Sequence, residues 1–443
     1  MGNSDLLQRS LAAVWHPCTQ MKQHAGASAA SPMIPIARGK GVWLYDFDGH
    51  RFLDGISSWW VNLFGHCNPR INAALREQLD ELEHVILAGC THRPVVELSE
   101  RLSALTGGTL GHCFYASDGA SATEIALKMS FHSWRNGGRE DKTEFLCLSG
   151  SYHGETVGAL AVTDVALFKD AYAPLIRAAA TVPSPDARLA ANGETPADVA
   201  RRAAAALESH LEQHHRRIAA LIVEPLIQCA SGMAMYDPEY LRLARRLCDR
   251  YEVHLICDEI AVGCGRTGTF FAHQQAGIRP DFLCLSKGIS GGYLPLSIVL
   301  TTDAVYAAFY DDRISRGFLH SHSYTGNALA CRAALATLDI FAEDRVIDAN
   351  RQLAEHLANC LRPLASHPRV HHLRQRGMIA AFDVLSDDGQ FPERFHKQAL
   401  AREILLRPIG NTVYFMPPYV LSHDECDFLV AGAIAALDAA LAA

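Results

Sequence analysis

Lysine is scarce in this chain. Only seven occur in 443 residues, and the arginines that complete the Lys+Arg count of 40 form no run. With a formal net charge of −8, the sequence offers no basic face for a nucleic-acid backbone, so no nucleic-acid partner is expected. Apolar stretches are all shorter than the ~18 residues that cross a bilayer, and the opening MGNSDLLQRS lacks the basic-then-apolar pattern of a secretion leader. No membrane association is expected. Thirteen cysteines are present, none in C-x-x-C spacing, and Cys147, Cys257 and Cys284 lie inside apolar runs. They read as reduced thiols in a cytoplasmic protein rather than a disulfide framework. There is no internal repeat.

What is present is ordinary globular composition, 49% hydrophobic and 20% charged, with length for two or three domains. The middle of the chain alternates apolar runs of strand length with helical patterns, which points to an α/β fold with a mostly parallel sheet. Strands are expected at Phe145–Leu148, Ala219–Val223, His254–Cys257, Phe282–Leu285 and Ser297–Thr301. Helices are expected near Ala120–Arg135, Pro196–His210 and Pro238–Tyr251; Thr195-Pro196 and Asp237-Pro238 open the last two as cap and first-turn proline. From about Gly326 the pattern turns to long helices around Ala328–Phe341 and Val346–Leu364, then a short strand–helix–strand series. The expected organisation is an N-terminal segment, residues 1–60, joining the small domain, a large domain at 61–330, and a small α/β domain at 331–443. Within the first segment Gly41–Asp46 and the turn Asp48-Gly49 read as a hairpin.

Several residues in this frame have chemical promise. Lys287 follows the apolar strand Phe282–Leu285 and precedes Gly288-Ile289-Ser290-Gly291-Gly292, so it projects from a strand end into a glycine-lined space. Asp258 ends the strand before it, at the edge where open parallel sheets bind ligands. Ser117-Asp118-Gly119-Ala120-Ser121 opens a long helix with small residues, leaving its first N–H groups available to a phosphate. A lysine for a Schiff base, an acid for a pyridine nitrogen and a phosphate-binding helix start are what pyridoxal 5′-phosphate (PLP) chemistry requires. Tyr152 follows Phe145–Leu148 and could stack on such a ring. Arg407, before the strand Thr412–Met416, could clamp a carboxylate, and Trp59-Trp60 could wall an aliphatic substrate. Gly263–Gly268 matches G-x-G-x-x-G, but its acidic residue Asp281 precedes a strand instead of ending one, so dinucleotide binding is rejected. The histidine pairs at 214–215, 320/322 and 371–372 have no acid or cysteine at ligand spacing, and no metal is expected.

Taken together, Asp258-Glu259-Ile260, Gly265-Arg266-Thr267-Gly268 and Leu285-Ser286-Lys287-Gly288 resemble the signature of the class III aminotransferases, and the likeness runs over nearly the whole chain. Trp15-His16-Pro17, Ser57-Ser58-Trp59-Trp60, Thr91-His92, and Arg407-Pro408 with Tyr414–Pro418 are similar to the subgroup that aminates 8-amino-7-oxononanoate to 7,8-diaminononanoate in biotin biosynthesis. The resemblance implies the PLP-dependent fold type I, a homodimer, and S-adenosylmethionine as amino donor. It implies that Lys287, Asp258 and Tyr152 are catalytic. Gly119, Ala120, Tyr152, Gln228, Asp258, Ile260, Lys287 and Ser323 would bind the cofactor, with Ser323 lent by the partner subunit. Trp59, Trp60, Tyr152, Arg407 and Tyr414 would bind substrate. Where this subgroup often has an aromatic residue after Trp-His-Pro, the chain has Cys18, which leaves lysine open as a donor. A class III transaminase acting on an ω-amine or amino acid, or a silent relative that only binds, are the alternative readings.

Overall fold

The computed structural model describes residues 2–24, 32–387 and 389–442. The chain divides into two compact units, residues 70–347 and residues 1–69 with 348–443. The helix Ala328–Glu343 therefore belongs with the larger unit, beyond the boundary at residue 330 expected from the change in texture.

The larger unit is organised by a seven-stranded sheet. Its strands in chain order are β1 (His112–Ala116), β2 (Glu144–Leu148), β3 (Ala180–Val182), β4 (Ile218–Val223), β5 (His254–Asp258), β6 (Phe282–Leu285) and β7 (Ser297–Thr301). Their spatial order is β1-β7-β6-β5-β4-β2-β3. Pairing is parallel from β6 through β5, β4 and β2 to β3, and β7 alone runs antiparallel, between β6 and β1. Strands β4, β6 and β7 are buried along their whole length. Unbroken apolar strands are what a sheet covered on both faces needs, and the side chains of the helix Gly119–Asn136, Ile125, Ala126 and Met129 among them, join Ile222, Ile256, Phe282 and Val299 in one core.

Local chemistry fixes the covering helices. Pro196–His214 begins with a reciprocal cap, in which Thr195 accepts from Asp198 N–H and Asp198 accepts from Thr195 N–H, with Pro196 in the first turn. In the helix Glu239–Arg250, Pro238 is the capping residue rather than the first helical one, and Asp237 Oδ1 accepts from Glu239 N–H at 2.8 Å.

The smaller unit joins both ends of the chain. Its N-terminal hairpin, Trp43–Asp46 with Arg51–Asp54, sits in a four-stranded sheet whose last member is Ile404–Leu405, from the C-terminal part, paired parallel to Arg51–Asp54. A second sheet holds Val370–Arg376, Ile379–Val384 and Thr412–Phe415. The helix Val346–Leu361 ends earlier than its pattern suggests, because Pro363 turns the next residues, Arg362–Ser366, into a 3₁₀ segment.

Candidate active site

Five loops leave the same edge of the large sheet, the carboxyl ends of its parallel strands. They are the segment after β1 with Gly119 and Ala120, the segment after β2 with Tyr152 and His153, and the segment after β4 with Glu224 and Gln228. Asp258 stands at the end of β5, and Lys287 follows β6. Asp258 is in register with Cys284 of β6, three residues before Lys287. Ligands bind in this crevice in open α/β sheets because the strand ends and helix starts aim backbone donors and side chains into it.

Asp258 is buried and held at both oxygens: His153 Nδ1 donates to Oδ2 at 2.6 Å, and Ile260 N–H donates to Oδ1 at 3.0 Å. His153 is itself buried, and its Nε2 has no hydrogen-bond partner among the described residues. The neighbouring Glu259 turns away, accepting from Ala272 N–H, His273 N–H and His273 Nδ1. One acid of the pair therefore serves the crevice and the other pins the loop that follows.

Beside them Glu224 accepts from Tyr152 N–H at 3.1 Å and Cys229 N–H at 3.0 Å. Burial pushes its pKa up to about 7, aided by the nearby charge of Asp258 and opposed by His153. For Lys287, burial acts in the other direction and lowers the pKa, which favours the neutral amine, against the pull of Asp258 and Glu224. Its backbone lies in the left-handed region, φ 45°, an uncommon conformation for a side chain of this size.

Gln228 is buried, donates from Nε2 to the Ser149 carbonyl at 2.9 Å and accepts from Ser184. Tyr152 donates its hydroxyl to Glu155 at 2.8 Å and packs edge-on to Phe168. At the helix start Asp118 accepts from Ser121 N–H. A Cβ on Gly119 would come within 2.9 Å of Ile260 Cγ2, and one on Gly154 within 2.5 Å of Ala120 Cβ. Both glycines let backbone approach where a side chain would fill the cradle. The structure thus brings Gly119, Ala120, Tyr152, Gln228, Asp258, Ile260 and Lys287 to one edge. Ser323 sits in an exposed turn, where its carbonyl hydrogen-bonds His84 Nε2 at 3.0 Å.

Trp59, Trp60, Arg407 and Tyr414 lie in the smaller unit. Ser57, Ser58, Trp59 and Trp60 all have positive φ, between 46° and 73°, one turn of left-handed helix rather than a plain loop. Such a turn costs roughly 1–2 kcal/mol per residue and persists only when over-determined. Here Asp54 accepts from both Ser58 N–H and Ser58 Oγ, and Ser57 Oγ donates to the Met416 carbonyl. The result is that Trp60 is buried with its indole N–H on Tyr414 Oη at 3.1 Å, whereas Trp59 is 47% exposed. The guanidinium of Arg407 lies 5.7 Å from the Trp59 ring centroid and donates to the Cys18 carbonyl at 3.3 Å. Cys18 thus meets the arginine through its backbone.

The class III aminotransferase family pattern matches residues 25–437. This chain belongs to the class III aminotransferases. Among class III relatives, the adenosylmethionine-8-amino-7-oxononanoate aminotransferase of Helicobacter pylori is 47% identical, covering 97% of this chain and 98% of that protein. The solved structure of the enzyme of that name from Methanocaldococcus jannaschii superposes with a TM-score of 0.91 at 33% identity, over 98% of this chain and 99% of the other. An amine transaminase from an uncultivated Pseudomonas species, solved with PLP bound, superposes with a TM-score of 0.90 at 31% identity, over 96% and 98%. The fold is that of the PLP-dependent transaminases of fold type I.

The class III edge described above fits PLP. It offers a buried carboxylate, an amine that burial biases to neutrality, an amide donor, and a helix start kept free of side chains by Gly119 and Gly154. His153 and Glu224 were not singled out from the sequence. Glu224 follows β4 as Asp258 ends β5, so an acidic residue at a second strand end of the same edge was the available signal.

Proposed function

We propose that this chain transfers an amino group from S-adenosylmethionine to 8-amino-7-oxononanoate, forming 7,8-diaminononanoate, with PLP as cofactor, and that it works as a homodimer. The observation that carries the reading is the 47% identity over nearly full length to an aminotransferase named for that reaction. The fold alone does not discriminate, since an amine transaminase superposes almost as well.

Bound PLP supplies an aldehyde that condenses with amines and a ring that takes up the electron pair left when the adjacent carbon loses its proton. Asp258 holds the ring nitrogen protonated, and His153 and Ile260 N–H keep that carboxylate oriented. Tyr152 and Ile260 would cover the ring, Gln228 would face its hydroxyl, and the N–H groups of Gly119 and Ala120 would receive the phosphate. Ser323 of the partner subunit adds to that cradle. Lys287 Nζ would anchor the cofactor, and its burial-favoured neutral amine would take the proton at the amine-bearing carbon and return it. Arg407 would bind the substrate carboxylate with Trp59, Trp60 and Tyr414 along its chain, and Tyr152, in the larger unit, is assigned to substrate by the family resemblance alone.

The test is rapid mixing of the purified, PLP-loaded protein with S-adenosylmethionine, lysine or an ω-amine while cofactor absorbance is followed, then addition of the keto acid. Conversion by S-adenosylmethionine alone, reversed by 8-amino-7-oxononanoate, is expected. Conversion by lysine alone would move the donor, and reversal by pyruvate but not the oxononanoate would overturn the acceptor.

A further inference from the structure

Away from the chemistry of transamination, two helices of the smaller unit meet through metal-ligating side chains. His356 and Cys360 stand one turn apart on the helix Val346–Leu361, so they share a face. Cys426 and Asp427 lie in the first turns of the helix His423–Ala442. His356, Cys360 and Cys426 each present a ligand atom, and these three atoms all lie within 4.8 Å of one another, the one such group among the described residues. Asp427 Oδ1 already touches two of them, 2.8 Å from His356 Nε2 and 3.0 Å from Cys360 Sγ. The ring of His423 stacks on that of His356, centroids 4.1 Å apart, and holds it in place.

We propose that His356, Cys360 and Cys426, completed by the Asp427 carboxylate, bind one zinc ion that staples these two helices together. Zinc–sulfur bonds of ~2.3 Å and zinc–nitrogen or zinc–oxygen bonds of ~2.0–2.2 Å place tetrahedral ligand atoms about 3.3–3.8 Å apart. The three His and Cys ligand atoms lie within 4.8 Å of one another, and Asp427 Oδ1 lies 2.8 and 3.0 Å from two of them, so side-chain adjustments on the order of 1 Å bring the set to that geometry. Two thiols and an imidazole select a borderline-soft ion over calcium or magnesium, which take oxygen ligands. Four protein ligands close the coordination sphere, which makes the site structural rather than catalytic. Cys426 is buried while His356 and Cys360 are partly exposed, so an ion has an entry path. On binding, each thiol gives up its proton to solvent and becomes a thiolate ligand. The histidines at 320 and 322 offer a contrast: their rings also meet, but the Lys128 ammonium sits 2.7 Å from His320 Nδ1, a fixed positive charge that opposes a cation.

The experiment uses the full-length, PLP-loaded protein. It is stripped with a chelator, titrated with zinc and then with cobalt(II), and compared with Cys360→Ser and Cys426→Ser variants. The expected result is about one zinc per chain and a cobalt–thiolate charge-transfer band, with tight uptake and the band lost in both variants. Transaminase activity at room temperature should persist in Cys360→Ser while its melting temperature no longer responds to zinc. No uptake by the unaltered protein would overturn the proposal, as would uptake unchanged by either substitution or a Cys360–Cys426 disulfide in the isolated protein. Cobalt spectra of the unaltered protein decide the matter even where a variant fails to fold.

Discussion

At the scale of single residues, the edge of the large sheet sets opposite demands on two buried ionisable groups. Lys287 must be an amine, and Lys287→Ala is expected to lower turnover by ~10²–10⁴ and to abolish borohydride-stable attachment of PLP, checked by mass spectrometry. Glu224 shows the reverse bias. Its pKa near 7 lies above the ordinary 4.5, so the folded chain keeps this proton where the unfolded chain releases it. The stability from this group is full below pH 4.5 and is lost as pH rises toward 7, by up to ~3 kcal/mol. Urea unfolding at pH 5 and pH 8 should show that loss in the unaltered protein and a smaller one in Glu224→Gln; equal slopes would remove Glu224 as the titrating group. Lys287 and Asp258 were legible in the sequence because strand, glycines and family signature converge on them. His153 was not, because a histidine one residue after an expected ring-stacking tyrosine carries no local mark. Its role comes from a 2.6 Å contact across 105 residues of chain.

At the scale of elements, the left-handed turn Ser57–Trp60 was the feature least visible beforehand. Two serines and two tryptophans have no propensity for positive φ, and the conformation is imposed by Asp54, Met416 and Tyr414 from other elements. Asp54 also meets His66 Nε2 at 3.0 Å and is fully buried. Asp54→Ala should therefore cost ~3 kcal/mol or more, measured by denaturant unfolding, and Ser58→Ala less, because the backbone donor remains. The Arg407 guanidinium lies 5.7 Å from the Trp59 ring centroid and donates to the Cys18 carbonyl, and its planar fork suits a carboxylate better than a lysine point charge does. Arg407→Ala is expected to raise KM for the keto acid by ~10–100-fold, the worth of a charged hydrogen-bonded pair, and to leave the donor half-reaction nearly unchanged. Arg407→Lys should recover only part of that loss. The strands β4 to β7 were read almost to the residue because unbroken β-branched and apolar runs admit little else. Strands β1 and β3 were missed, β1 for its mixed His-Cys-Phe-Tyr-Ala sequence and β3 because it is three residues long.

At the scale of the whole molecule, the α/β frame and a mostly parallel sheet followed from alternating patterns, and the N-terminal segment groups with the C-terminal domain as expected, while the boundaries between the units did not follow. Residues 61–69 fall with the smaller unit and 331–347 with the larger, since periodicity reports how an element packs but not against which neighbour. The proposed homodimer has a measurable consequence. If Ser323 serves the partner's phosphate cradle, mixing inactive Lys287→Ala with an inactive variant of the loop at 322–325 should restore activity, because one hybrid site in each mixed dimer has both groups. Failure of such mixtures to regain activity, with subunit exchange confirmed by mass, would assign each site to a single chain.

The threading of the chain also bears on how it is made. Among the described residues strand β1, which precedes the helix start at Gly119, pairs only with β7, and β7 ends at Thr301. The first 69 residues share their unit with residues 348–443. At roughly 5–20 residues per second of synthesis, the N-terminal segment waits on the order of tens of seconds before its partners leave the ribosome. During that interval its strands have open edges and Trp43, Trp59 and Trp60 lack their later partners. Production in cells should therefore depend on chaperones that shield an emerging N-terminus, more than the stability of the finished enzyme would suggest.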